Sequence, residues 1–140
     1  KACFIVLLFM CRAALASTED WTTTNTVLQL SNSALLMVDW AQTRQMIRNP
    51  CFDVNGEHKK YAQNCSNPHH EAGPAKHFIG EHPSIGQVNV YFAGSLVANY
   101  LITRGLPGPW REVYQVGFSV YELGVVQNNW KIGIRVSFPL

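Results

Sequence analysis

The chain has 140 residues, of which 47% are hydrophobic and only 14% are Asp, Glu, Lys or Arg. This combination argues against disorder, which requires low hydrophobicity and high charge, and the length suits one domain. The net charge of +2 provides no dense cationic surface, so nucleic acid is not expected as a partner.

The amino-terminal segment has the pattern of a secretory signal peptide. Lys1 precedes the apolar residues 2–10, and Ala14-Leu15-Ala16 fits the small-residue cleavage site. The apolar run is too short to cross roughly 30 Å of hydrocarbon. We therefore predict a signal peptide over residues 1–16, with a retained anchor as the alternative, and a single helical domain over residues 17–140.

The first helix of that domain is predicted over residues 26–47. Apolar residues recur there at nearly helical spacing, among them Leu28, Leu35 and Met46. The helix is expected to end before Pro50, because the residue before a proline disfavours the helical conformation.

A long polar insert follows at residues 49–84. A loop of this length is typically functional or held by a cross-link. In an exported chain Cys51 and Cys65 would meet an oxidising compartment, so we predict that they form a disulfide.

The insert also contains every histidine of the chain, and imidazole is a natural ligand of zinc or copper. The spacing matches no tight metal signature. The insert is therefore either a metal site or a polar surface loop tied by the disulfide, with these candidate ligands: His58, His69, His70, His77 and His82.

Residues 85–104 form the strongest helical pattern, and a second helix is predicted from Trp110 to about residue 127. No charged residue lies between Pro83 and Thr103, a length close to the roughly 20 residues that cross a bilayer. The glycines and prolines of residues 105–109 predict a sharp turn between the two helices. The alternation over residues 130–138 predicts a short terminal strand.

This hairpin of two charge-poor helices suggests a membrane-inserted unit. Arg104 and Arg111 flank its turn, which the positive-inside rule would place in the cytoplasm. The prediction is then an inner-membrane protein whose polar insert faces the periplasm, in contact with lipid and with other membrane or envelope subunits. The alternative is a soluble periplasmic helical domain that buries the same faces.

Polar side chains within these apolar helices form the second group of candidate residues. An acidic side chain in such a helix needs a partner, because an unpaired buried charge is costly. We predict a polar clasp that links the helices; a paired-carboxylate site or proton relay built on the two acids is the alternative. The predicted clasp comprises Asp39, Gln42, Thr43, Asn89, Asn99, Gln115 and Glu122.

The order of short motifs resembles a family of small, uncharacterised helical proteins from bacteria and their phages. Residues 39–44, Asp-Trp-Ala-Gln-Thr-Arg, resemble its Asp-Trp-x-Gln-Thr-Arg box, and residues 80–84, Gly-Glu-His-Pro-Ser, its Gly-x-His-Pro-Ser box. The family's Glu-x-Asn-Pro element is matched loosely by residues 71–74, and residues 51–65 resemble an additional insertion. The resemblance implies an exported or membrane-associated helical protein and transfers no reaction.

Taken together, the patterns predict an all-α protein, a small bundle of about three helices with a membrane-associated hairpin, a disulfide-tied loop and a terminal strand. No nucleophile elbow or phosphate-binding loop is present. The predicted function is a non-enzymatic accessory or structural subunit of a larger envelope assembly. A periplasmic protein that binds zinc or copper through the insert is the alternative.

Overall fold

The computed structural model describes residues 21–48, 75–134 and 136. In this part of the chain there are four helices: α1 (Thr23–Arg48), α2 (Lys76–Ile79), α3 (Ile85–Gly105) and α4 (Gly108–Lys131). The predicted all-α class is confirmed. The three long helices lie close to the ranges predicted from the apolar spacing and the prolines. The short helix α2 was not predicted.

The three long helices pack side by side. Asn25 of α1 pairs with Gln115 of α4, and Asp39, further along α1, pairs with Asn129, further along α4. These two helices therefore run parallel. Gln29 meets Asn99 whereas Trp40 meets Asn89, so α1 and α3 run antiparallel. The contact between α1 and α4 is the most extensive in the bundle.

Local chemistry fixes both ends of α3. Ser84 and Gln87 form a capping box, in which the Ser84 hydroxyl accepts from the Gln87 amide and the Gln87 side chain accepts from the Ser84 amide. The helix ends at Gly105, and Pro107 then caps α4 without needing an amide hydrogen. This short turn makes α3 and α4 antiparallel neighbours.

An apolar cluster lies at one end of the bundle, where the carboxyl-terminal half of α1 meets α2 and the start of α3. It consists of Leu36, Ile79, Val88 and Phe92, with Trp40 among the half-buried side chains around it. Apolar burial therefore holds this end together. At the opposite end of the bundle, the buried side chains are mainly polar.

The predicted terminal strand is wrong within the described residues. Helix α4 continues to Lys131 and ends in a Schellman motif. Gly133 has a φ of 92°, its amide donates to the Trp130 carbonyl, and the Ile134 amide donates to the Asn129 carbonyl. Glycine at this left-handed position stops the helix, and up to Ile134 no strand follows.

The predicted membrane hairpin is also wrong. Within residues 21–48 and 75–134, no helix combines the length and the apolar character that crossing a bilayer requires. Amide side chains such as Gln87, Asn89 and Asn99 dilute the apolar character of α3, and α4 includes Arg111 and Glu122. The inner-membrane location that was derived from this hairpin is therefore wrong as well.

Two further predictions fall outside the described residues: the signal peptide at residues 1–16 and the Cys51–Cys65 disulfide. The ranges that the structure describes contain no cysteine, so they provide no support for the disulfide-tied loop.

Candidate functional site

The interior of the bundle is unusually polar. Polar side chains are as numerous as apolar ones among the buried residues of the described part of the chain. Burying a polar group is unfavourable unless it finds a hydrogen-bond partner. The candidate site is this buried polar set: Asn25, Asn32, Gln42, Thr43, Asn99, Thr103, Arg111, Gln115 and Glu122.

Helix α1 contributes a nearly continuous polar stripe to the interior. Its members recur three or four residues apart, which places them on one face of the helix. Only Leu36 interrupts the sequence of polar positions Asn25, Gln29, Asn32, Asp39 and Thr43. The face of α1 that packs against α3 and α4 is therefore mainly polar.

Asn25 and Gln115 form a reciprocal pair at the polar end of the bundle. The Asn25 Nδ2 donates to the Gln115 Oε1 at 3.3 Å, and the Gln115 Nε2 donates to the Asn25 backbone carbonyl at 2.9 Å. Asn25 also forms a hydrogen bond at the start of α1, where its Oδ1 accepts from the Thr22 amide at 3.2 Å. The pair therefore ties the beginning of α1 to α4.

Arg111 joins the same pair to the end of α3. Its side chain is 1% exposed. Its Nε donates to the Thr103 carbonyl at 3.1 Å, its Nη2 to the Leu106 carbonyl at 3.0 Å and its Nη1 to the Asn25 Oδ1 at 3.4 Å. Two of these acceptors are carbonyls at the carboxyl-terminal end of α3, where the helix dipole favours a cation.

Gln29, Asn99 and Tyr114 connect all three long helices. The Gln29 Nε2 donates to the Asn99 Oδ1 at 2.8 Å, and the Asn99 Nδ2 donates to the Tyr114 hydroxyl oxygen at 3.3 Å. Burial raises the pKa of Tyr114, and the hydrogen bond from Asn99 partly opposes that shift. Burial therefore favours the neutral form of this phenol.

A second polar group lies about three turns further along α1. Asn129 Nδ2 donates to the Asp39 Oδ1 at 2.9 Å and to the Gln42 Oε1 at 3.2 Å, and the Gln42 Nε2 donates to the Val126 carbonyl at 3.3 Å. Between the two groups, the Ser119 hydroxyl contacts the Asn32 Oδ1. Hydrogen bonds therefore connect α1 to α4 along most of their shared length.

Glu122 is the exception among the buried polar side chains of α4. It is 6% exposed, and its Oε2 has no hydrogen-bond partner. Burial in this environment disfavours the charged form and raises the pKa of Glu122 from 4.5 to about 7. At neutral pH this carboxyl is therefore poised between its neutral and its ionised form.

Glu122 lines a cavity of about 590 Å³ between α1, α3 and α4. The cavity wall also includes Asp39 and Thr43 from α1 and the aromatic side chains Tyr91 and Phe118. A volume between 300 and 1,000 Å³ with apolar walls and a few polar groups is typical of small-molecule sites. The arrangement is suited to hold a ligand.

The predicted clasp residues occupy four places. Asp39 and Gln42 meet at Asn129, whereas Asn99 and Gln115 belong to the polar end of the bundle. Asn89 is exposed and accepts a hydrogen bond from the Trp40 indole at 3.0 Å. Glu122 and Thr43 line the cavity with Asp39. The seven residues thus do not form one cluster.

Sequence reasoning missed several residues of the interior, above all Asn25, Arg111 and Asn129. The signal that points to them is the three- to four-residue spacing of polar positions along α1 and α4. This spacing is as regular as the apolar spacing used to define the helices.

The candidate metal ligands are placed only in part. His77 and His82 are exposed, and His58, His69 and His70 lie outside the described residues. In the described ranges no group of three or more His, Cys, Asp or Glu side chains is arranged to hold a metal ion. Zinc or copper binding by the insert stays a prediction.

Comparison with family models, with curated proteins and with solved structures gives no match to this chain. The resemblance carried by residues 39–44 and 80–84 therefore stays a prediction.

Proposed function

We propose that this protein is a non-catalytic subunit of a larger protein assembly, packed through the outer faces of its helices against helices of neighbouring subunits. The observation that carries the proposal is the inverted distribution of side chains: polar residues fill much of the interior, while large apolar residues lie on the outside. Exposed apolar patches of this kind mark interaction surfaces.

The outer face of α4 has the spacing of a coiled-coil seam. Val113, Val116, Val120 and Leu123 follow one another at alternating intervals of three and four residues, and all are exposed. Val120 is 66% exposed. Gln127 and Trp130 continue the same spacing. Helices with this pattern pack by inserting apolar side chains between those of a facing helix.

Helices α1 and α3 have matching outer stripes. On α1 the stripe is Val27, Leu30, Ala34 and Met37, with the same alternating intervals. On α3 it is Val90, Gly94, Val97 and Leu101. A Cβ at Gly94 would meet no atom within 4 Å, so a neighbouring helix has room to approach the backbone there.

Burial of all three outer stripes requires more than one neighbouring subunit. A twofold dimer uses one self-complementary patch of each copy, which would leave the other stripes exposed. No charged side chain belongs to any of the three stripes. Apolar burial rather than ion pairing is therefore the expected source of the association free energy.

Photo-crosslinking in cells tests this proposal. We would place p-benzoyl-phenylalanine at Val97 or Val120 in the outer stripes and, as the control, at Glu112, an exposed residue beside the α4 stripe. Discrete protein adducts, identified by mass spectrometry, are expected from the stripe positions and not from Glu112. Adducts with lipid alone, or equal labelling from all positions, would contradict the proposal.

A charge variant provides a second measurement. Val120→Lys should leave the thermal unfolding of the purified chain nearly unchanged, because the side chain is exposed, yet remove the protein from its high-mass assembly on sedimentation. Glu112→Lys is the matched control and should sediment as the wild type does. Retention of Val120→Lys in the assembly would argue against the α4 stripe as a contact surface.

A further inference from the structure

We propose that the cavity between α1, α3 and α4 binds a small organic ammonium ion, a primary or secondary amine attached to an apolar group, with Glu122 as the anionic partner. The wall of this site shares Val120 with the outer stripe of α4, but binding is tested on the purified chain and does not depend on the assembly proposed above.

The geometry of Glu122 points to a hydrogen-bond donor as the ligand. The carboxyl is buried, it lines the cavity, and its Oε2 lacks a partner. A buried acceptor without a partner is unfavourable, and a ligand N–H group would remove that cost. An ammonium group supplies such donors together with the opposite charge.

The charges around Glu122 favour a cation. From α1, Asp39 brings a second carboxyl to the wall, with one oxygen held by Asn129 at 2.9 Å. The other titratable groups in the described part of the wall are the phenols of Tyr91 on α3 and Tyr121 on α4, and no Lys, Arg or His lines it. Among these described side chains, an anionic ligand would meet two carboxyls and no cationic group.

The remaining wall suits an apolar group beside the charge. Phe92 from α3 and Phe118 from α4 line the cavity, and the rings of Tyr91 and Phe92 lie edge to face with centroids 5.3 Å apart. Aromatic faces attract cations and also cover apolar carbon. A single-ring amine fits a volume of about 590 Å³.

Isothermal titration calorimetry with phenethylamine as the probe tests the site. Phenylethanol, which has the same ring and chain without the charge, is the comparison ligand. We expect saturable binding of phenethylamine and at least tenfold weaker binding of phenylethanol. Absence of phenethylamine binding at millimolar concentration, or equal binding of both compounds, would overturn the proposal.

Two variants test the charge of Glu122 and the volume of the cavity separately. Glu122→Gln keeps the shape of the side chain and should weaken phenethylamine binding at least tenfold, whereas Glu112→Gln, on the exposed face of α4, should not change it. Gly124→Leu tests the volume: Gly124 lines the cavity, and a Cβ there would meet no atom within 4 Å. This helix-favouring substitution should abolish binding while preserving the fold.

Affinity should also follow the ionisation of Glu122. With a pKa of about 7, about a tenth of the carboxyl is ionised at pH 6 and nearly all of it at pH 8. Binding of phenethylamine, which stays protonated over this range, should strengthen about tenfold between these pH values. Glu122→Gln should remove this dependence. The same dependence in Glu122→Gln would show that another group binds the amine.

Discussion

Asn25 and Gln115 hydrogen-bond to each other across 90 residues of sequence, with the Gln115 Nε2 donating to the Asn25 carbonyl at 2.9 Å. Both side chains are buried, and neither is apolar. In most small domains apolar contacts hold such a position. Here the junction between the start of α1 and the first half of α4 depends on paired amides, and its stability should respond to the loss of a single partner.

Replacing Gln115 by alanine should therefore destabilise the fold by about 1–3 kcal/mol. The Asn25 side-chain Nδ2 and the Asn25 backbone carbonyl would both lose their Gln115 partner in a buried environment. Chemical denaturation of the purified chain measures this change. Gln127→Ala, on the exposed side of the same helix, should shift the free energy of unfolding by less than about 0.5 kcal/mol. Equal effects of the two variants would contradict the buried pair.

Arg111 should not be replaceable by lysine. Its planar group donates to two carbonyls and to the Asn25 Oδ1 at once, and a lysine ammonium cannot reach all three. We expect Arg111→Lys to lower the free energy of unfolding by about 1.5–3 kcal/mol. The control is Arg48→Lys at the exposed end of α1, which should unfold at the same denaturant concentration as the wild type.

Glu122 should make the protein less stable as the pH rises. The pKa is about 7 in the fold and 4.5 in the unfolded chain, so between these values the folded state holds a proton that the unfolded state has released. The free energy of unfolding therefore falls from pH 4.5 to pH 7 and levels off above pH 7. After allowance for solvent screening, the loss is on the order of 2 kcal/mol.

Urea titrations of wild type and Glu122→Gln at several pH values isolate this contribution, because every other group is common to both. The difference between the two proteins should change by that amount across the range. Glu112→Gln serves as the control, since Glu112 is exposed. A difference that stays constant with pH would mean that Glu122 ionises normally in the fold.

Ser84 should contribute to the start of α3 through its capping box. Ser84→Ala removes the acceptor for the Gln87 amide and should cost about 1 kcal/mol. The thermal unfolding midpoint reports this loss. Ser31→Ala, at an exposed position inside α1, is a suitable comparison and should have a smaller effect, since its hydroxyl bonds only to the Val27 carbonyl of its own helix. A similar loss in both variants would exclude the capping role.

The sequence predicted the helices well because their signals are local. Pro50 and the glycines and prolines of residues 105–109 interrupt the chain at specific points, and regular spacing identifies helix between them. The error at residues 130–138 arose because an alternating pattern of a few residues fits either a strand or a helix end. The Schellman motif at Gly133 decided in favour of the helix end.

The sequence determined that α1, α3 and α4 form and that each has a polar and an apolar face, because both properties follow from the order of residues along one helix. Only the tertiary structure decided which face of α1 lies inside. Asn25, Gln29 and Asn32 can be buried only where α3 and α4 bring them partners from 70 to 90 residues away. Such pairings depend on how the helices are arranged in space, so no local pattern in the chain specifies them.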